Sequence, residues 1–146
     1  MSVPVKQPSD QAQRDRAARD LETSLLVEAA AGTGKTTLLV ERILTILRED
    51  KARLRDVAAI TFTEKAAGEL KVRLRQTIEA LLHRADAPDR PLLQRALTDL
   101  DVMSVSTIHS FCAEMLRELP VEAGVEPGFA VTDDLAARLI FDETWE

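Results

Sequence analysis

The sequence predicts an α/β fold in which a parallel sheet is flanked by helices. Two apolar runs of strand length, Leu25–Val27 and Val57–Phe62, are separated by a long segment whose apolar residues have helical spacing. A third candidate strand, Asp101–Ser106, follows further helical segments. Strands that alternate with helices in this way are typical of parallel sheets covered by their connecting helices.

Composition limits the chain to a modest domain. Its 146 residues, of which 45% are hydrophobic and 30% charged, can bury one core, so we expect one domain or part of one. No apolar run approaches the roughly 18 residues that a membrane span requires, so we expect no membrane partner. The net charge of −6 gives no general attraction to nucleic acid, and DNA contact would need a local groove of basic and polar groups.

The first residues and the cysteine content indicate a cytoplasmic protein. The stretch MSVPVKQPSDQ lacks the apolar core of a secretory signal, and the single Cys112 cannot form an internal disulfide. We divide the chain into residues 1–24, a lead-in with Pro4 and Pro8 followed by a short exposed helix, and residues 25–146, the main domain. Gln11 or Gln13 could hydrogen-bond an adenine edge, but glutamine on a solvated helix usually has no such role, and we assign none.

The stretch LLVEAAAGTGKTTLLVERIL, which begins at Leu25, predicts a phosphate-binding loop between a strand and a helix. Gly32 and Gly34 let the backbone turn tightly, so that its N–H groups and the positive helix end can approach an anion. Lys35 would then reach the β- and γ-phosphates of a nucleotide. Thr36 would supply a hydroxyl to Mg²⁺, and we predict a catalytic role for this pair.

One position departs from the usual pattern GxxxxGK[ST], which has glycine where this chain has Ala29. The alternative is a turn of small residues followed by a surface lysine. The placement between a strand and a long helix favours nucleotide binding. The predicted nucleotide-contacting residues are Ala29, Ala30, Ala31, Gly32, Thr33, Gly34, Lys35 and Thr36.

The elements after the loop follow from apolar spacing. A stripe predicts a helix packed on a sheet, and the charged run 48–51 ends it; the stripe comprises Leu39, Val40, Ile43, Leu44, Ile46 and Leu47. The continuous apolar run 57–62 predicts a parallel strand covered on both faces. With the strand at 25–27 it would form a right-handed strand–helix–strand unit.

The second predicted helix begins near the end of this strand. Its apolar residues recur at intervals of three and four, at Ala67, Leu70, Leu74, Ile78 and Leu81. Thr61 and Glu64 have the spacing of a capping box, and helix capping is the plainer interpretation of Thr61 and Thr63. Lys65 lies beside a polar strand end, where open α/β sheets bind ligands.

The remaining segments predict three more helices. Pro88 and Pro91 are expected to break the chain before a short helix around Leu92–Leu100. After the third strand, another helix has an apolar face that comprises Ile108, Cys112, Met115 and Leu119. His109 at its start is more often a capping or packing residue than a catalyst. The LIFDE stretch resembles a metal-binding strand, but its spacing is helical, with Thr132, Asp133 or Asp134 as the cap and Asp142 and Glu143 exposed.

Three stretches together resemble one family. EAAAGTGKTT, AITFTEKAAGELKVRLR and SVSTIHSFCAEMLRELP are similar to motifs I, Ia and Ib of the superfamily 1 DNA helicases related to UvrD, Rep and PcrA. Ala29 fits this pattern, because the loop of that family commonly reads AxxGxGKT. The glutamate before the loop and the TIHSFC wording are closest to the RecB and AddA helicase-nuclease branch. The resemblance covers most of the chain from Leu25 onward.

The resemblance implies a partial RecA-like P-loop NTPase domain that is incomplete at its C-terminus. It implies ATP and Mg²⁺ as cofactors, and single-stranded and duplex DNA as partners in repair and recombination. Phe62, Thr63, Lys65, Thr107 and His109 would lie along the single strand. Many relatives have asparagine in place of Glu64, whose carboxylate would repel DNA.

The family's second acidic motif, arginine finger and second RecA-like domain do not precede Glu146. We therefore expect an N-terminal fragment, inactive alone, of a longer motor with a fused nuclease domain or a partner subunit. Two alternatives stay open: another P-loop enzyme, such as a small kinase, and a non-enzymatic fragment.

Overall fold

The computed structural model describes residues 9–30, 32–84, 89–132 and 134–145. Its helices are α1 (Gln11–Arg19), α2 (Lys35–Arg48), α3 (Glu64–Leu82), α4 (Arg90–Asp99), α5 (Ile108–Glu118), α6 (Pro120–Ala123) and α7 (Asp134–Trp145). Its strands are β1 (Ala58–Thr61) and β2 (Ser104–Thr107), and a 3₁₀ turn at Leu54–Asp56 precedes β1. The predictions for Pro4, Pro8, Ala31, Pro88 and Asp133 fall outside the described residues. None of the helices in these ranges combines the length and the apolar character needed to cross a membrane.

The two strands form a parallel sheet, as predicted. Ala58 pairs with Ser104 and Thr61 with Thr107, and the connection between the strands runs through α3 and α4. Two of the three predicted strands, 57–62 and 101–106, are therefore confirmed, with bounds shifted by one to three residues. Because parallel strands in register end at the same edge, the residues that follow Thr61 and Thr107 lie side by side.

The core lies between α2, α3, α4 and the sheet. Its largest fully buried side chains include Leu54, Leu70, Leu74, Ile78, Leu93 and Leu100. The α3 members of this set recur at intervals of four, which places them on one face of that helix. The apolar spacing in the sequence therefore predicted the α3 part of this core correctly.

A buried carboxylate ties α4 to the segment before β1. Asp99 is 1% exposed and accepts hydrogen bonds from two guanidinium groups. Arg53 Nη2 lies 2.8 Å and Arg55 Nη2 lies 3.0 Å from Asp99 Oδ1. The Arg53 bond, reinforced by Arg55, holds the pKa of Asp99 below its ordinary value.

The prediction of a strand at Leu25–Val27 was wrong. Residues 24–30 contain no strand, Leu26 is 88% exposed, and within the described ranges β1 and β2 pair only with each other. An apolar run shows that a segment can form a strand, but a strand exists only when another strand pairs with it. The predicted strand–helix–strand unit through α2 is therefore absent, and α2 packs on α1, α3 and α4 instead.

Two predicted apolar faces are not covered by the described residues. In β1, Ala59 is buried but Ile60 is 45% exposed, so β1 is covered on one face rather than on both. In α5, the predicted apolar face is exposed, with Met115 at 50% and Leu119 at 53%, and the buried residue is Ala113. Helix α5 lies against both strands, and its buried side chain is the small Ala113, which the stripe of large residues did not indicate.

Three smaller predictions concern single residues and helix ends. Pro91 lies in the first turn of α4, where proline lacks only a hydrogen bond that the helix would not make, so it starts this helix rather than breaking one. The LIFDE stretch is helical within α7, as predicted, and Asp142 and Glu143 are exposed. Helix α1 is less exposed than predicted, because Ala17 and Ala18 are buried on α2.

Candidate functional site

The loop before α2 has the backbone geometry that its glycines predict. Gly32 has φ of 76° and Gly34, the N-cap of α2, has φ of 91°. Both lie in the left-handed region, where side chains with a Cβ are strained. A Cβ at Gly32 would meet nothing within 4 Å, so backbone torsion rather than space requires glycine there. The loop therefore turns tightly into the positive end of α2.

Lys35 and Thr36 lie at the start of α2. The Lys35 ammonium donates to the carbonyl oxygens of Ala29 at 2.5 Å and Ala30 at 3.1 Å, so it reaches back across the loop. The Thr33 hydroxyl also donates to Ala30 O, at 2.7 Å. Thr36 is exposed, and its hydroxyl has no hydrogen-bond partner in the described part of the chain. This hydroxyl is suited to supply one oxygen ligand to Mg²⁺, whose other ligands would be phosphates and water.

Clustered metal ligands are absent from the site. Among the residues that the structure describes, no three histidine, cysteine, aspartate or glutamate side chains converge as a metal site would require. A metal ion bound at Thr36 would therefore depend on nucleotide phosphates for most of its charge, as Mg²⁺ often does.

A cavity of about 420 Å³ lies between the loop and α1. Gln13 and Arg14 of α1 line it, together with Leu25, Gly34 and Lys35. Sequence reasoning did not assign this wall, because α1 has the composition of a solvated helix and no local pattern shows that it folds over the loop. Gln11, the other glutamine considered, instead donates to Asp15 at 2.8 Å.

Arg14 makes the contact between α1 and the loop. Its Nη1 donates to the Thr33 carbonyl oxygen at 2.9 Å, and its Nη2 lies 2.9 Å from Asp10 Oδ2. The hydrogen bond between these two side chains lowers the pKa of Asp10 and raises that of Arg14. Both groups are therefore charged at neutral pH.

The end of β1 presents an aromatic side chain to solvent. Phe62 is 92% exposed, and Lys65, also exposed, lies 4.0 Å from Glu69. Thr63 is the N-cap of α3, where its hydroxyl accepts from Ala66 N at 3.1 Å. The predicted capping box at Thr61 was wrong, because the chain turns two residues later and the Thr61 hydroxyl donates to Thr63 O at 3.0 Å.

The end of β2 repeats this arrangement. Thr107 is the N-cap of α5, where its hydroxyl accepts from Ser110 N at 3.2 Å, and only 9% of the residue is exposed. His109 is exposed in the first turn. The Ser110 hydroxyl donates to Glu64 Oε1 at 3.0 Å and lies 3.0 Å from Thr107 Oγ1. One hydrogen-bonded chain therefore joins the two strand ends.

The structure brings together all five residues that the resemblance assigned to DNA. Phe62, Thr63 and Lys65 follow β1, and Thr107 and His109 end β2 or follow it at the same edge of the sheet. Phe62, Lys65 and His109 are exposed there. The hydroxyls of Thr63 and Thr107 are used as helix caps, which was the plainer interpretation for Thr63.

Comparison with known proteins decides the family. The family model for the UvrD/REP helicase N-terminal domain matches residues 9–146. The chain belongs to the UvrD/REP helicase family. Its relatives include three proteins that are each named as one subunit of an ATP-dependent helicase/nuclease, from Listeria monocytogenes, Acetivibrio thermocellus and Moorella thermoacetica. The identities are 38% over 125 residues, 39% over 131 and 42% over 126.

These comparisons confirm the resemblance to the helicase-nuclease branch of the UvrD/REP helicases. The matches cover 84% to 86% of this chain, but only 9% to 10% of each relative. The chain therefore spans about a tenth of the length of these relatives. In this helicase domain, the stretch resembling motif I forms the loop before α2, and those resembling motifs Ia and Ib form the turns from β1 to α3 and from β2 to α5.

Proposed function

We propose that this chain is a partial RecA-like domain of an ATP-dependent DNA helicase, which binds ATP with Mg²⁺ and contacts single-stranded DNA. The observation that carries the proposal is the paired edge of β1 and β2, where the exposed Phe62, Lys65 and His109 lie together. The glycine loop before α2 supports the proposed ATP binding, because its geometry is suited to phosphate.

The nucleotide would bind at the start of α2. Backbone N–H groups of residues 32–36 and the ammonium of Lys35 would hold the phosphates, and the Thr36 hydroxyl would hold Mg²⁺. Lys35 would exchange its bonds to the Ala29 and Ala30 carbonyls for bonds to the β- and γ-phosphates. The bound ion would neutralise the charge that develops during phosphoryl transfer.

Single-stranded DNA would lie along the strand ends. An exposed aromatic ring such as Phe62 stacks on any base, and Lys65 and His109 can position phosphates without reading sequence. Thr63 and Thr107 would contribute to DNA binding indirectly, because they cap and fix the starts of α3 and α5, which carry Lys65 and His109. With a net charge of −6, the chain would depend on this local edge rather than on a general positive field.

In the full-length protein, we propose that ATP hydrolysis drives translocation on the single strand and separation of duplex DNA. Its role would be in repair or recombination in the cytoplasm, with a nuclease domain or a partner subunit. The names and lengths of the relatives support this proposal. The remaining catalytic groups would lie outside residues 1–146, and this chain alone would not hydrolyse ATP.

The test measures ATP hydrolysis by the full-length protein at increasing concentrations of oligothymidylate. We expect strong stimulation by DNA in the wild type and loss of hydrolysis in Lys35→Ala. Phe62→Ala should need about tenfold more DNA for half-maximal stimulation, because it loses base stacking, whereas Phe62→Trp should not. A kinase or another P-loop enzyme would hydrolyse or transfer phosphate at a rate indifferent to DNA, and that result would reject the proposal.

A further inference from the structure

Hydrogen bonds from two arginines connect α1 to α2 and to the loop before α2. From α2, Arg42 Nη1 donates to the carbonyl oxygens of Ala17 and Asp20, each at 2.8 Å. These carbonyls lie at the C-terminal end of α1, where a helix favours positive charge. From α1, Arg14 donates to the Thr33 carbonyl in the loop before α2. The loop is therefore braced by a helix that precedes it in the chain.

The Arg14 guanidinium is fixed against the loop backbone. Besides its bond to Thr33, it pairs with Asp10, and its Nη1 would lie 3.6 Å from a Cβ built at Gly34. The Arg14 side chain is 30% exposed, and its Nε is buried without a partner among the described residues. This guanidinium is therefore held between the Asp10 carboxylate on one side and the Thr33 carbonyl on the other.

The loop needs such an external constraint. Thr33 stands between two glycines with positive φ, and glycine restricts its neighbouring peptide planes less than any other residue does. In a planar trans peptide, the carbonyl of one residue and the N–H of the next point in opposite directions. Holding the Thr33 carbonyl therefore also holds the Gly34 N–H, pointing away from Arg14. Among the described residues, no hydrogen bond uses this N–H.

We propose that Arg14 is a positioning residue for the phosphate loop, and that it fixes the Gly34 amide to receive a nucleotide phosphate. This proposal rests on the proposed nucleotide-binding function. Arg14 itself touches the loop carbonyl rather than the phosphate. Loss of Arg14 should therefore weaken the binding of every nucleotide that carries phosphates. It should leave DNA binding at the ends of β1 and β2 unchanged.

The experiment measures dissociation constants of Mg²⁺–ADP and Mg²⁺–ATP for the full-length protein by calorimetry. We expect Arg14→Ala to weaken both about tenfold, because the unpinned loop loses its preorganised amide. Arg14→Lys should weaken binding less than Arg14→Ala, because the ammonium keeps the positive charge. The recovery should be only partial, because a single ammonium cannot hold Thr33 and Asp10 in the same fork geometry. Asp10→Asn should cause a smaller loss in the same direction.

The matched control is Arg19→Ala, which removes an exposed guanidinium from the same helix. No hydrogen bond or ion pair of Arg19 exists within the described part of the chain. Arg19→Ala should bind both nucleotides like the wild type. Binding of oligothymidylate without nucleotide and the midpoint of thermal unfolding should stay unchanged in Arg14→Lys and Asp10→Asn. A merely structural role would instead lower that midpoint and weaken DNA binding as well.

Lys35→Ala separates the two proposals. If Lys35→Ala loses nucleotide but Arg14→Ala binds it normally, Arg14 does not position the loop and the nucleotide function stands. If Lys35→Ala also binds normally, the nucleotide function itself fails. If Arg14→Ala does not fold, Arg14→Lys and Asp10→Asn decide, and unchanged dissociation constants in both would overturn the role of Arg14.

Discussion

Glu64 occupies the strand-end edge between the two helix-capping threonines. Its carboxylate accepts a hydrogen bond from Ser110, and it is the first residue of α3, where the helix favours a negative charge. The same charge faces a surface that we propose for DNA. Glu64 therefore stabilises the local structure and opposes the approach of phosphates at the same time.

This dual role predicts the effect of Glu64→Gln. Glutamine keeps an oxygen that can accept from Ser110 but removes the negative charge. We expect the full-length protein to bind oligothymidylate about two- to threefold more tightly at low salt, because one repulsion acting over roughly 8 Å of solvent disappears. The gain should vanish at about 1 M salt, where screening acts over about 3 Å. Fluorescence anisotropy at several salt concentrations measures this.

Glu79→Gln is the matched control for this charge change. It lies on α3 as well, about 22 Å further along the helix at 1.5 Å per residue, well beyond the screening length at physiological salt. Its DNA affinity should equal that of the wild type. Equal or weaker binding by Glu64→Gln at low salt would show that this carboxylate does not face the DNA.

At the scale of elements, Asp99 predicts how stability depends on pH. Its pKa is lowered in the folded state, so its contribution is complete above the ordinary value of 3.8 and is lost as the pH falls through the folded value. Asp99→Asn should lower the free energy of unfolding at pH 7, because Arg53 and Arg55 lose their shared anion. The difference from the wild type should shrink below about pH 3.8. Urea unfolding of this chain and of Asp99→Asn, at pH 7 and below pH 3.8, measures both differences.

Asp101→Asn provides the comparison. Asp101 is also paired, with Arg75 Nη2 at 2.9 Å, but its side chain is 76% exposed. Exposed pairs contribute little, so this variant should unfold nearly like the wild type at either pH. If both variants behaved alike, the buried carboxylate would not be what joins α4 to the segment before β1.

The elements also show what the sequence could predict. The α3 core positions and both observed strands followed from spacing, because each depends on the segment's own apolar pattern. The segment 25–27 has the same kind of pattern but no strand, since pairing depends on chain far away in sequence. The capping box was predicted at Thr61, but the N-cap of α3 is Thr63, two residues later, because the local turn rather than the residue type decides where the helix begins.

The candidate site divides in the same way. The tight turn at Gly32 and Gly34 was predictable, because glycine readily adopts a positive φ. The roles of these residues and of Lys35 in phosphate binding stay predictions. The placement of Phe62, Lys65 and His109 just after β1 and β2 was predictable once the motifs were recognised. Arg14 was not, since its contact with Thr33 joins residues 19 positions apart, on elements whose packing no local pattern describes.

At the scale of the whole molecule, several large apolar side chains are exposed. Leu26 is 88% exposed, Ile60 45% and Met115 50%, and each lies on a segment that was predicted to pack. Full burial of one leucine side chain contributes about 1.5–3 kcal/mol. If this chain is part of a larger domain, other parts of the full-length protein would cover these side chains.

Cysteine labelling at position 26 tests that consequence. In a background without other cysteines, with Cys112→Ser, a Leu26→Cys thiol should react with maleimide at nearly the unfolded rate in the 146-residue chain. In the full-length protein it should react about 100-fold more slowly, since a covered thiol reacts only when the structure opens. The same variant in denaturant supplies the rate for a fully exposed thiol. Equal rates in the short and long proteins would mean that segment 25–27 stays uncovered and that the sheet of β1 and β2 is not extended there.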